Sequence, residues 1–200
     1  SVRMCATLGG RALRFDAAAA MALPGVRKVV SIDGLHGGTG CVAVIADQPW
    51  QAMKAVEAVK VDWDPGPAAG FDSAAAMEQL ARVAREASGF TYHRVGEVGP
   101  ALAGAARRLE AEYRAPWLAH QTLEPMNCTV QIADGRATVW APTQVPGLTR
   151  MAVERVTGLD ASHIDVQVQL LGGGFGRRLE VDFVAQAAAI AQHGEGRPVQ

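Results

Sequence analysis

Four glycines in five positions, Gly172-Gly173-Gly174-Phe175-Gly176, separate two apolar runs and constrain this chain more than any other stretch. Ile164 to Leu171 reads as a strand, and Glu180 to Gln192 as a helix with Phe183, Ala187 and Ile190 on its inner face. The junction has to turn sharply, and residues without a Cβ let the backbone turn while bringing its N–H groups close to whatever lies against it. With a helix N-terminus behind it, such a loop suits a phosphate or a pterin-like ring system. It suits equally a tight strand-to-helix turn that binds nothing. Two nucleotide readings fail: a dinucleotide fingerprint starting at Gly172 needs glycine where Arg177 stands, and there is no Walker A pattern.

Two further segments carry polar groups at element ends. Trp140-Ala141-Pro142-Thr143-Gln144 delivers a glutamine to the start of a helix that opens at Pro146, carries Leu148, Ala152 and Val156 on one side and stops at Gly158. A glutamine there can present a donor and an acceptor to a cleft, cap the helix, or face solvent. Leu118 to Cys128 contains His120, Glu124 and Cys128, but no second ligand pair with zinc spacing accompanies them, so no metal site is expected from protein side chains. His36, His93, His163 and His193 are scattered, and no serine stands in a nucleophile-elbow context, which leaves a hydrolase triad without support.

Along the rest of the chain the periodicity predicts an α+β organisation. Phe15 to Leu23 reads as a short Ala-rich helix, Val26 to Ile32 and Cys41 to Ala46 as strands. Asp47 is expected to cap a helix with Pro49 in its first turn and Trp50, Met53 and Val56 at helical spacing, before Val59 to Trp63 returns to strand. Residues 1–64 thus form one compact unit, and Asp64 to Gly70, broken by Pro65-Gly66-Pro67, is a linker. Phe71 to Ser88 and Gly96 to Ala106 read as helices, and Leu109 to Tyr113 as a half-exposed strand. Thr129 to Ile132 and Ala137 to Trp140 read as a hairpin across Asp134-Gly135.

Composition removes whole classes of function. Two hundred residues, 49% hydrophobic, can bury a substantial core. A net charge of −1 with interspersed signs gives no basic face for nucleic acid. No apolar run approaches the roughly 20 residues that span a bilayer. Cys5, Cys41 and Cys128 lie far apart and read as small buried or partly buried thiols rather than a disulfide framework. The chain starts at Ser1 and stops at Arg197-Pro198-Val199-Gln200, where a strand begins after Gly194 and Gly196, so a truncated piece of something longer is expected.

His120 to Asn127, Trp140 to Gln144 and Gly172 to Arg178, in this order and spacing, resemble the signature set of molybdenum hydroxylase large subunits, the xanthine dehydrogenase/aldehyde oxidase family. Glu124-Pro125-Met126-Asn127 with the Gly172 to Arg178 loop looks most like the branch of isoquinoline 1-oxidoreductase beta subunits and molybdenum-binding aldehyde dehydrogenases. Pro24-Gly25-Val26, Val42-Ala43-Val44 and the Trp50 helix leading to Val61-Asp62-Trp63 resemble that family's α/β hammerhead domain. The resemblance implies a hammerhead over residues 1–64, a linker with a surface helix over 65–95, and the first part of a mixed α/β molybdopterin-binding domain over 96–200.

It also implies an enzyme that hydroxylates an N-heterocycle or an aldehyde with water-derived oxygen. The cofactor would be a molybdenum-molybdopterin dinucleotide of the cytosine form. Expected partners are a small-molecule substrate, a small iron–sulfur subunit with [2Fe-2S] clusters, and a cytochrome electron acceptor, in a bacterial cytoplasm or periplasm. By resemblance Gln144 matches the glutamine that hydrogen-bonds an oxygen ligand of molybdenum. Gly173, Gly174, Phe175, Gly176 and Arg177 match the loop beside the metal.

Departures set limits. Xanthine-oxidising members place glutamate four residues after the loop phenylalanine, where this chain has Leu179, which argues against purine hydroxylation. The family's general-base glutamate lies near the far end of a longer subunit, so no catalytic residue is assigned here and Glu124 is not its substitute. No cysteine pattern holds an iron–sulfur cluster. Residues 1–200 alone are therefore expected to be inactive and without bound cofactor. The competing readings are a non-catalytic binding or scaffold module that keeps the fold, and a nucleotide-binding domain.

Overall fold

The computed structural model describes residues 1–35, 38–86 and 89–200, so His36 and the expected helix end at Ser88 lie outside the described residues. In chain order the elements are β1 (Val2–Met4), β2 (Arg11–Asp16), α1 (Ala18–Met21), β3 (Val26–Ile32), β4 (Cys41–Ala46), α2 (Pro49–Ala58) and β5 (Lys60–Asp64). There follow α3 (Ser73–Glu86), α4 (Val98–Ala103), β6 (Thr129–Ala133), β7 (Arg136–Ala141), α5 (Pro146–Thr157), β8 (Ile164–Val168) and α6 (Asp182–Ala191). The fold is α+β, and its contacts divide into one unit of Ser1–Ala69 with Ala119–Gln200 and a second of Gly70–Leu118.

In the first unit, β1, β4 and β3 form an antiparallel sheet in that order, and β2 pairs antiparallel with β5. The Ala-rich stretch from Phe15 was expected to be helical, but Phe15 lies in β2 opposite Val61 and only Ala18–Met21 is helix. A partner strand decides this: β2 gains a full ladder with β5, flanked by Arg11–Asp64 and Arg14–Asp62 ion pairs, and such pairing outweighs alanine's local preference.

Asp47 does not cap α2. Arg27 donates to both of its carboxylate oxygens at 2.8 and 2.7 Å, and Gln48 takes the cap position without a side-chain bond. The helix also turns a different face inward from the one its large side chains suggested. Ala52, Ala55 and Val56 are buried against Val42 and Val44, whereas Trp50 and Met53 are exposed and Lys54 Nζ sits 4.9 Å from the Trp50 ring centre. Small residues let the helix axis approach the sheet closely, so the packed stripe is the alanine one.

The second sheet, β6-β7-β8, joins an antiparallel hairpin to a parallel strand, with α5 as the crossover. Asp134 and Gly135 both have positive φ, 49° and 71°, which is the two-residue turn that matches strand twist. Gly158 ends α5 at φ 73°, donating to Glu154 O at 2.8 Å, the left-handed stop its sequence predicts. Leu148 is half exposed, and the buried face of α5 is Thr149, Ala152 and Val153.

α6 is what fastens the two sheets together. One side, Val184 and Ala188, joins Val130, Val139, Val153 and Ile164, while Ala189 and Ile190 pack against Val30, Ile32, Cys41 and Ala43. All three cysteines are buried, and burial pushes the Cys41 thiol up to about 11 and that of Cys128 to about 12. No helix among the described residues is long and apolar enough to cross a membrane.

The second unit contains α3 and α4, neither with a buried residue. Leu109 to Tyr113, expected as a strand, is irregular, with Leu109 and Tyr113 exposed. A lone alternating segment has no ladder to join, and this one is held instead by Arg85–Glu112 and Arg114–Glu78 ion pairs and by the edge contact of Phe71 with Trp117. Exposed ion pairs hold a backbone weakly. Trypsin is therefore expected to cut first after Arg94, Arg107 or Arg108, as read by mass spectrometry over a digestion time course. First cleavage after Arg177 or Arg178 would contradict the packing described below.

Candidate functional site

The end of β7, the segment before β6 and the glycine loop after β8 meet around one side chain, Arg178. It is fully buried. Its Nε donates to Gly173 O at 2.7 Å and one terminal nitrogen to Pro142 O at 3.2 Å. The other terminal nitrogen donates to Glu124 O at 3.1 Å and to Glu124 Oε2 at 2.8 Å. A guanidinium is a rigid fork of donors, and here the fork is filled by acceptors from three separate segments.

Glu124 is oriented from its other sides. Gly172 N donates to its Oε2 at 2.9 Å, Asn127 Nδ2 to its Oε1 at 3.0 Å, and Glu124 N donates to Gly172 O at 3.2 Å. These bonds to the charged form, Gly172 first and Asn127 next, with Arg178 adding its charge, hold the carboxyl below its ordinary range. The main chain of Arg178 belongs to the same network: its carbonyl accepts from Gln144 N at 3.1 Å and from Thr143 Oγ1 at 3.5 Å. Thr143 Oγ1 also accepts from Val145 N and from the buried Thr149 hydroxyl, both at 3.1 Å, fixing the entry into α5.

The loop takes a conformation open mainly to glycine. Gly173 and Gly176 have φ of 102° and 85°, and Phe175, at 51°, is one of the few other residues with positive φ. Such a backbone costs on the order of 1–3 kcal/mol at a non-glycine residue and persists only where its surroundings impose it. Arg177 N donates to Gly174 O at 2.8 Å and Leu179 N to Gly176 O at 3.1 Å, forming a 3-10 turn at Arg177–Leu179. The amides of Gly173, Gly174, Phe175 and Gly176 meet no backbone acceptor among the described residues, and the Phe175 side chain is exposed. A run of free amides with alternating φ makes a concavity for an electron-rich group.

The loop also fits closely against its neighbours. A Cβ on Gly172 would lie 2.4 Å from Glu124 Cβ, and one on Gly174 would lie 2.7 Å from Gln144 Oε1. Gln144 itself is exposed and immediately precedes α5, with its side chain over Gly174, while the His120 ring flanks Gly176.

Residues 80–200 match the family described as the molybdopterin cofactor-binding domain. The chain belongs to this family. The molybdopterin-binding domain is similar to one of the subunits of the nicotinate dehydrogenase of Pseudomonas putida, 29% identical over 96% of this chain and 16% of that protein. It is also similar to the beta subunit of the isoquinoline 1-oxidoreductase of Brevundimonas diminuta, 29% identical over 90% of this chain and 23% of that one. The chain thus spans about a fifth of the length of the curated relatives it matches. Among solved structures, the aldehyde oxidoreductase of Desulfovibrio gigas shares the fold with a TM-score of 0.67 at 21% identity, over 99% of this chain and 26% of that one. The family resemblance drawn from the three sequence segments holds.

Within this molybdopterin-binding domain the three segments do converge: Gln144, Gly173, Gly174, Phe175 and Gly176 lie on one network. Arg177 stands apart from the others in one respect, since its guanidinium is taken by Asp182 through two 2.9 Å bonds. Arg178 was not singled out by the sequence. Two adjacent arginines in a non-periodic turn give no sign of which is buried, and the only clue was that a buried arginine needs a carboxylate, which the Glu124 segment could supply. Glu124 and Cys128 are not poised as ligands, the one engaged by Gly172, Asn127 and Arg178 and the other buried as a thiol.

Proposed function

We propose that this chain is part of the molybdopterin-binding subunit of an oxidoreductase that hydroxylates an N-heterocycle or an aldehyde, with Gln144, Gly173, Gly174, Phe175, Gly176 and Arg177 bordering the cofactor. The observation that carries this reading is the glycine cradle: residues 172–176 present unbonded amides, have no space for a Cβ at Gly172 or Gly174, and stand beside an exposed glutamine amide. These features fit a flat, oxygen-rich group brought close to main chain. When bound, the cofactor supplies the redox centre for oxidising a substrate carbon with oxygen drawn from water.

The residues of this chain orient and bind. The loop amides donate to the cofactor face, Gln144 offers a donor and an acceptor from a fixed backbone, and Phe175 presents an aromatic surface beside them. Arg177, its guanidinium committed to Asp182, contributes through its place on the loop. Proton abstraction falls to a glutamate on another part of a longer subunit. The iron–sulfur clusters belong to a separate small subunit, with a cytochrome as acceptor, and the cofactor is the cytosine dinucleotide. In this reading residues 1–64 form the α/β hammerhead unit, 65–95 the linker and surface helix, and 96–200 the first part of the cofactor domain.

Elemental and pterin analysis of the full-length protein is expected to give about one molybdenum per chain, whereas residues 1–200 alone retain none and oxidise neither substrate class. A folded full-length protein without molybdenum would favour a scaffold, and turnover by residues 1–200 would overturn the division of labour.

A further inference from the structure

We propose that Arg178 is a positioning residue, which sets the glycine loop and Gln144 at a fixed distance from each other; this rests on the reading above. Every bond its guanidinium makes goes to a segment of the site. Nε holds the carbonyl of Gly173, next to Gly174, and a terminal nitrogen holds the carbonyl of Pro142, two residues before Gln144. The Arg178 carbonyl in turn accepts the Gln144 amide at 3.1 Å, so one residue grips the glutamine's segment by its side chain and by its main chain.

Glu124 closes the frame, bonded both to Arg178 and to Gly172 N, at the start of the loop. Filling the same place with an apolar side chain would avoid burying a charge, so this arrangement gains geometry rather than stability. The strain at Phe175, φ 51°, is held between Gly173, which Arg178 bonds, and the 3-10 turn that contains Arg178. The loop's positive-φ conformation is thereby imposed from below, leaving its upper amides free.

Lysine at this position keeps the charge but replaces the planar fork with a point donor that cannot hold the Gly173, Pro142 and Glu124 acceptors in one geometry. The test compares Arg178→Lys and Glu124→Gln with the unmodified full-length protein by hydrogen exchange of residues 172–179, by molybdenum content, and by kcat per bound molybdenum against KM. Loop amides, Gly172 above all, are expected to exchange about tenfold faster or more in both variants, with the β6-β7-β8 amides still protected. Turnover per molybdenum should fall between about tenfold and a hundredfold, with KM changed much less, because misplacement of a positioned group acts on the reacting geometry. Loop exchange and kcat per molybdenum unchanged from the parent, with only a lower melting temperature, would overturn the proposal. If Arg178→Lys does not fold, Glu124→Gln decides it by the same readings. If the unmodified protein binds no molybdenum, the cofactor reading fails while the exchange arm still decides whether Arg178 sets the loop.

Discussion

Gly174→Val in the full-length protein is expected to abolish retention of molybdenum and pterin, while Gln144→Ala keeps both and turns over roughly a hundredfold more slowly. The two residues touch, yet they fail differently. A Cβ at Gly174 would stand 2.7 Å from Gln144 Oε1 and 3.0 Å from its Cδ, and valine adds two methyl groups beyond that atom on the loop face that should receive the cofactor. Gln144→Ala takes nothing from the loop and creates no clash. It removes one preorganised polar group, whose loss at a reacting centre costs about 3 kcal/mol. Gly174→Ala is the informative intermediate. Its single methyl meets the movable end of a side chain rather than backbone, so Gln144 swings aside at little cost to folding and the variant behaves like Gln144→Ala. Metal content and turnover, measured side by side for the three variants, check this. Full cofactor and full rate in Gly174→Val would reduce the loop to a turn, and normal turnover in Gln144→Ala would remove that residue from the site.

Much of this arrangement is legible in the sequence, and what is not has identifiable causes. Strands β3, β4, β6 and β7 and the Asp134-Gly135 turn follow from β-branched runs and turn chemistry, which are local signals. The failures all involve a partner distant in the chain. Phe15 is drawn into β2 by a strand some 45 residues on, Asp47 is drawn from its capping role by Arg27, and Leu109 to Tyr113 alternates with nothing to pair against. In α2 the side-chain sizes mislead: Trp50 and Met53 mark the hydrophobic stripe in the sequence, but the closest approach to the sheet is made by Ala52 and Ala55. The site shows the same split. Its glycines and glutamine are visible as types at set spacings, whereas the Arg178–Glu124 pair, which joins positions 54 apart, exists only once the chain has folded.

Arg177 and Arg178 are chemically identical neighbours, and replacing each in turn by methionine should give losses of very different size. Arg178→Met leaves the carbonyls of Gly173 and Pro142 without their donor and Glu124 without its counter-charge, in a place closed to water. Removing one partner of a buried pair costs about 3–5 kcal/mol, against a total stability on the order of 5–15 kcal/mol for a typical domain. Arg177→Met breaks only a pair with Asp182 whose side chains are 27% and 29% exposed, so water replaces what is lost. The expected loss is about 1 kcal/mol or less. The opening free energy of the surrounding structure, read from exchange of the β7 and β8 amides, reports both values within the full-length protein. Acid separates the variants further. Because the folded state holds the Glu124 carboxyl below its ordinary value of 4.5, that group stabilises the fold above this pH and ceases to do so as the pH falls through its folded value. Gly172 and Asn127 are the larger causes and remain in Arg178→Met, so the acid-sensitive contribution is smaller there but not zero. Equal losses for the two arginine variants at neutral pH would mean that the buried network around Arg178 is not what holds the three segments together.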